Sequence, residues 1–187
     1  MPGAARLVLA SASPRRAELL AAAGFEFDVD PVDVDESREA REPPPAYVER
    51  VARLKAAAGA RRHPGRSVLA ADTVVVLGDI VLGKPRDEAH ARDMLRRLSG
   101  RSHEVMTAIA LASNGDIRTH LERTTVWFRT LSDSEIGWYA ESGEPMDKAG
   151  AYAIQGLAAR FIPRIDGSYS NVVGLPLAAV ADLVSGS

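Results

Sequence analysis

The chain has 187 residues, 46% hydrophobic and 26% charged, with a formal net charge of -2 and no cysteine. That length allows one domain with a real core, the charge balance excludes a globally basic nucleic-acid binder, and the cysteine count excludes disulfides, thiolate metal sites and cysteine nucleophiles. No run approaches the roughly 20 apolar residues of a membrane span, and the amino terminus has no signal-like apolar stretch, so a cytoplasmic protein without membrane partners is expected.

In chain order, short apolar runs alternate with amphipathic helical patterns, which predicts an α/β fold. Leu7 to Ala10 reads as a buried strand, followed by a helix with Ser13 as N-cap, Pro14 as first residue and Gly24 at its end. Phe25 to Val34 reads as a weaker strand. The acidic, proline-rich stretch 28–45 is either a loop over a cleft or a solvated connection. A second helix is expected from about Ala46 to Ala60, then a strong strand from Val68 to Leu77, turning at Gly78-Asp79 into Ile80 to Leu82. Asp87 to Leu98 reads as a helix closed by Gly100. His103 to Ala112 and Ile117 to Thr130 form the clearest hairpin, because Asn114-Gly115 favours a type I′ turn, and this makes the sheet mixed. Ser132 to Ser142 is a capped helix, Ala151 to Ile154 and Arg160 to Ile165 read as short strands, and Leu175 to Val184 as a closing helix. There is no internal repeat and no interdomain linker, so 1–187 is read as a single domain.

Several residues break local rules. Arg15 and Arg16 fall in the first turn of a helix, where unpaired amides and the positive end of the macrodipole already gather, so an anionic ligand between them is expected. With the hydroxyls of Ser11 and Ser13, that spot suits a phosphate chain. Asp72 stands inside an otherwise apolar strand. It is a metal ligand or a general base activating water, or else a carboxylate capping a turn or paired with an arginine. Thr73 next to it lines the same cleft or points to the opposite face.

Only three of the 23 basic residues are lysines, at 55, 84 and 148. Where arginine is so favoured, a retained lysine marks either a need for a compact ammonium or a solvated surface. Lys55 shares a helix face with Val48, Val51 and Ala52, so it projects into a cleft or snorkels to solvent. Gly78 to Pro85 imitates a phosphate-binding P-loop, but Pro85 replaces the required hydroxyl residue. It reads better as a hairpin presenting Lys84 to a phosphate or to water. Asp147-Lys148 is a plain ion pair or part of a site, and Gln155 either reads a nucleobase edge with its donor and acceptor or is simply exposed beside a turn. The four histidines are scattered, which argues against a histidine zinc site, and no Gly-x-Ser-x-Gly elbow surrounds Ser11 or Ser13.

Taken together, Ser11-Ala-Ser-Pro-Arg-Arg16, Ala71-Asp-Thr73, Gly83-Lys-Pro85, Gly100 to Thr107, Asp147 to Tyr152, Ile154-Gln-Gly156 and Gly174 to Leu177 resemble the Maf family of nucleoside triphosphate pyrophosphatases, over about residues 5 to 182. The resemblance implies an elongated mixed β-sheet flanked by helices, with two lobes around a central cleft as in inosine triphosphatase. It implies hydrolysis of a nucleoside triphosphate to monophosphate and pyrophosphate with a divalent metal cation, Mg²⁺, Mn²⁺ or Co²⁺. Asp72 matches the family's proton acceptor, while Arg16, Glu36, Lys55 and Lys84 match its phosphate or metal surroundings, with Glu36 and Asp72 as the metal candidates. Arg15, Thr73 and Gln155 resemble the branch acting on dTTP and UTP, and modified pyrimidine triphosphates remain open as substrates. A homodimer is also left open. The alternative is a regulatory nucleotide-binding protein that inhibits septum formation through a partner.

Overall fold

A computed structural model describes residues 6–186. Seven strands form one mixed sheet flanked by helices: β1 (Leu7–Leu9), β2 (Phe27–Val29), β3 (Val68–Leu77), β4 (Ile80–Leu82), β5 (Ser102–Ser113), β6 (Asp116–Trp127) and β7 (Arg164–Asp166). Their order is β2-β1-β3-β5-β6-β7, with β4 paired to β3 outside that path. The helices are α1 (Pro14–Ala22), α2 (Pro44–Arg62), α3 (Glu88–Leu98), α4 (Asp133–Glu141), α5 (Tyr169–Val173) and α6 (Leu177–Ser185).

The described residues divide into two compact units, one of 6–72, 107–122 and 174–186, the other of 73–106 and 123–173. Strands β3, β5 and β6 each supply residues to both. In the first unit β1 pairs in parallel with β2 and β3, and Leu7, Leu9, Leu20, Leu69, Ile109, Leu175 and Val180 form the core. In the second, β4 pairs antiparallel with β3 and β7 with β6. Its core gathers Leu95, Leu98, Val126, Phe128, Tyr139 and Phe161. Burying such side chains is the main favourable contribution to folding, at roughly 1.5–3 kcal/mol each.

Local chemistry sets most boundaries. Pro14 opens α1 and Gly24, at φ 78°, follows its end. Asp87 caps α3 through the His90 amide, and Ser132 with Glu135 makes a reciprocal capping box on α4. Asn114 and Gly115, both at positive φ, turn β5 into β6.

Four expectations need correction. The strand expected over Phe25 to Val34 keeps only Phe27–Val29: the Asp30 amide still reaches Leu9 O, but Pro31 has no N–H with which to continue. The strand expected at Ala151 to Ile154 is replaced by a 3-10 turn at Ala149–Ala151, since Gly150 and Ala151 both adopt positive φ. Of Arg160 to Ile165 only its end joins β7, because Leu157–Phe161 winds into a 3-10 turn that drops Phe161 into the core. The second strand of the hairpin also ends at Trp127, short of Thr130.

His103, on β5, is 3% exposed. Its Nε2 lies 2.7 Å from the Tyr152 hydroxyl, its ring packs edge-on against Phe128 and Tyr152, and Nδ1 has no hydrogen-bond partner. Burial pushes its pKa down from 6.5 to about 4. The folded state therefore holds a neutral ring while the unfolded chain takes up a proton between those values. Stability from this site is complete above pH 6.5 and is lost as pH falls toward 4. The loss should be on the order of 3 kcal/mol. Urea unfolding of wild type and His103→Gln across that range should give pH slopes that differ by up to one proton, the wild type losing more stability as pH falls.

Candidate functional site

The first unit contains a buried cluster of charge. Lys55 on α2 and Asp72 on β3 are 8% and 7% exposed, and Lys55 Nζ donates to Asp72 Oδ1 at 2.9 Å. The same ammonium lies 2.9 Å from Glu36 Oε1. So the lysine on the apolar helix face does not snorkel; it neutralises two carboxylates from different segments. Burial is the largest influence on Asp72 and raises its pKa, while the charges of Lys55 and Arg16 act the other way.

Gly59 explains how α2 can bring Lys55 so close. It lies one turn beyond Lys55 on the same face, and a Cβ there would sit 2.7 Å from Val68 Cγ1 and 3.3 Å from Ala10 Cβ. Only glycine lets the helix rest this near β3, whose residue 72 lies four positions beyond Val68. Gly59→Ala should push the helix outward and cost about 1–3 kcal/mol, read by chemical denaturation, with a matching drop in activity.

Arg16 resolves the rule broken at the start of α1. Its Nε donates to Gly174 O at 2.8 Å, and Nη1 donates to Ala71 O at 2.8 Å and to Ser11 Oγ at 3.1 Å. The guanidinium thus ties α1 to the carbonyl beside Asp72 and to the segment entering α6. Burial lowers its pKa, with Asp72 opposing that effect and Arg15 adding to it. Ser11 Oγ also accepts from the Ser13 amide at 3.2 Å, whereas the Ser13 side chain makes no capping bond to α1. Arg15 is half-buried in the same first turn.

The acidic loop is organised by residues that the sequence did not single out. Arg50 Nε and Nη2 grip Glu42 Oε1 and Oε2 at 2.7 and 2.9 Å, and Nη2 also donates to Ser37 O. The Tyr47 hydroxyl donates to Glu36 O at 2.9 Å. Asp35 accepts from the Ser37 amide, so of the crowded acids it is Glu36 whose carboxylate reaches Lys55. Helical spacing held the signal, because Tyr47 and Lys55 are eight residues apart on one face.

The remaining candidates, in the second unit, are more spread out. Thr73 is half-buried on β3, and Lys84 is exposed after β4. Lys148 Nζ donates to Asp147 Oδ1 at 2.5 Å and to Glu144 O at 2.8 Å. Gln155 is exposed and lines a groove of about 530 Å³ with Arg164, Ile165 and Tyr169.

Among the described residues, no group of three or more His, Asp or Glu side chains converges as a self-sufficient metal site would. The donor set of Glu36 and Asp72 still fits Mg²⁺, which is commonly held by one or two carboxylates together with substrate phosphates.

The family model described as Maf-like protein matches residues 6–186. A dTTP/UTP pyrophosphatase of Myxococcus xanthus is 56% identical over 178 residues, 95% of this chain and 90% of the relative. Another, of Escherichia coli O157:H7, is 52% identical over 180 residues, 96% and 91% of the two chains. A HAM1 protein from Coxiella burnetii shares the fold, with a TM-score of 0.56 at 18% identity over 98% of this chain and 100% of that one. A Staphylococcus aureus Ham1 protein does so at 0.52 and 16%, over 97% and 98%. No helix among the described residues is long and apolar enough to cross a membrane.

Proposed function

The chain belongs to the Maf family, and on that premise we propose that it hydrolyses dTTP and UTP to the nucleoside monophosphate and pyrophosphate. The observation that carries this reading is the cluster in which buried Lys55 bridges the buried Asp72 and the exposed Glu36, with the Arg16 guanidinium on the carbonyl beside Asp72.

A triphosphate brings about four negative charges, and cleavage moves more charge onto the leaving pyrophosphate. Arg15, Arg16, Lys55 and Lys84 supply the opposing cations, with the serines and amides at the start of α1 as further donors. Arg16 is already fixed by three protein acceptors, so its charge is preorganised and does not have to be ordered by substrate. Asp72 is the proton acceptor for the water that attacks the α-phosphorus. Burial raises its pKa above the usual carboxylate range, which strengthens it as a base.

As the alternative to its role as base, Asp72 would join Glu36 in holding a divalent cation with the phosphates, and the cation would neutralise phosphate charge and polarise the scissile bond. Arg15, Thr73 and Gln155 select the base, Gln155 through the paired donor and acceptor of its amide.

The test is pyrophosphate release by the purified protein from a panel of nucleoside triphosphates with Mg²⁺, Mn²⁺ or Co²⁺. Preferential turnover of dTTP and UTP supports the reading, and orthophosphate as the first product overturns it. Gln155→Glu should change the order of preference in that panel more than it changes kcat for the best substrate.

A further inference from the structure

The loop carrying Gln155 is gripped on both sides by the side chains of Tyr139 and Glu144. The Tyr139 hydroxyl accepts from the Ala153 amide at 3.1 Å and donates to Glu144 Oε1 at 2.8 Å. Glu144 Oε2 accepts from the Leu157 amide at 3.0 Å. The two anchored amides stand two residues before and two after Gln155.

Each half of this clamp is itself fixed. Tyr139 is fully buried on α4, its ring edge-on to Phe161 at 5.4 Å between centroids. Burial also raises its pKa, so the hydroxyl keeps the proton that it donates to Glu144. The backbone around Glu144 is held as well, its amide by Ser142 Oγ and its carbonyl by Lys148 Nζ. Gly156 leaves the space for the carboxylate: a Cβ there would lie 2.3 Å from Glu144 Oε2. The Gln155 side chain is left exposed and lines the groove.

We infer that Glu144 and Tyr139 are positioning residues for nucleotide selection, fixing the backbone on which Gln155 presents its amide to the base. The inference rests on the base-reading role proposed for Gln155. A glutamine can reject the wrong base only if its amide is held where the wrong base leaves it unpaired, since a mobile loop would adapt. The clamp supplies that rigidity with two bonds to backbone amides and none to substrate.

Three variants test it: Tyr139→Phe, which removes the bridging hydroxyl but keeps the ring, Gly156→Ala, which displaces the carboxylate, and Gln155→Ala. For each, KM and kcat are measured with dTTP, UTP, CTP and GTP, together with Ki for inorganic tripolyphosphate, which has no base, and the urea unfolding midpoint. Losing an anchoring bond should raise KM for dTTP and UTP about tenfold and narrow their preference over GTP, in the direction taken by Gln155→Ala. Ki for tripolyphosphate should stay within about twofold and kcat within about threefold. The inference is overturned if Gln155→Ala changes the preference while Tyr139→Phe and Gly156→Ala do not. It is equally overturned if KM and the tripolyphosphate Ki rise together, as general damage to the fold would make them do. If Gln155→Ala leaves the preference unchanged, the base-reading role falls and this inference with it.

Discussion

Asparagine in place of Asp72 is expected to lower kcat for dTTP by roughly 10²–10⁴-fold, the usual contribution of a positioned general base. The substitution is nearly isosteric and keeps an oxygen to accept from Lys55 Nζ, 2.9 Å away, so what is lost is the carboxylate's charge and proton affinity and not shape. The wild-type pH profile should show the same group. Asp72 must be ionised to accept a proton, so kcat/KM should fall on the acid side, and burial places that fall above the usual carboxylate range. The acid limb should be missing from the residual activity of Asp72→Asn. Pyrophosphate release between about pH 5 and 9 measures both effects, and a variant within threefold of wild-type turnover would sink the proton-acceptor role.

Lys55→Met should lose activity and stability together. Methionine fills much of the same volume but leaves the Asp72 carboxylate in its apolar strand with one compensating charge fewer. Removing one partner of a buried pair typically costs about 3–5 kcal/mol. The sign of its pH dependence is fixed. Without Lys55 the folded-state pKa of Asp72 rises further above its unfolded value. The variant therefore comes nearest to wild-type stability at low pH and falls further behind as pH rises and the folded protein must ionise or hold its proton. Urea unfolding at about pH 5 and pH 8 should show a larger deficit at the higher value. Equal deficits would mean that Lys55 contributes packing and not charge.

What could be read from the sequence, and what could not, divides along physical lines. Strand β3 and the turn into β4 match their expected limits because an apolar run bounded by Gly78-Asp79 permits little else. Caps fixed α3 and α4 equally well. The region from Ala149 to Arg164 defied periodicity: its conformation is set by the positive φ of Gly150 and Ala151 and by the Glu144 clamp, neither of which leaves a strand or helix period. In the charged cluster, the incongruity of Asp72 in an apolar strand and of Lys55 on an apolar helix face announced two residues, but not that they were partners. Arg16 announced a conflict at the helix start, which the protein settles in part itself through Ala71 O and Gly174 O. Glu36 could not be separated from Asp33 and Asp35, because that choice depends on Tyr47 and Arg50 gripping the loop from α2.

The most direct measurement follows the oxygen. With dTTP as substrate in ¹⁸O-labelled water, attack on the α-phosphorus puts the label into the nucleoside monophosphate and leaves pyrophosphate unlabelled. The wild-type protein should give labelled dTMP and unlabelled pyrophosphate, and Asp72→Asn should give little of either. Label in pyrophosphate, or in orthophosphate released with dTDP, would contradict the account.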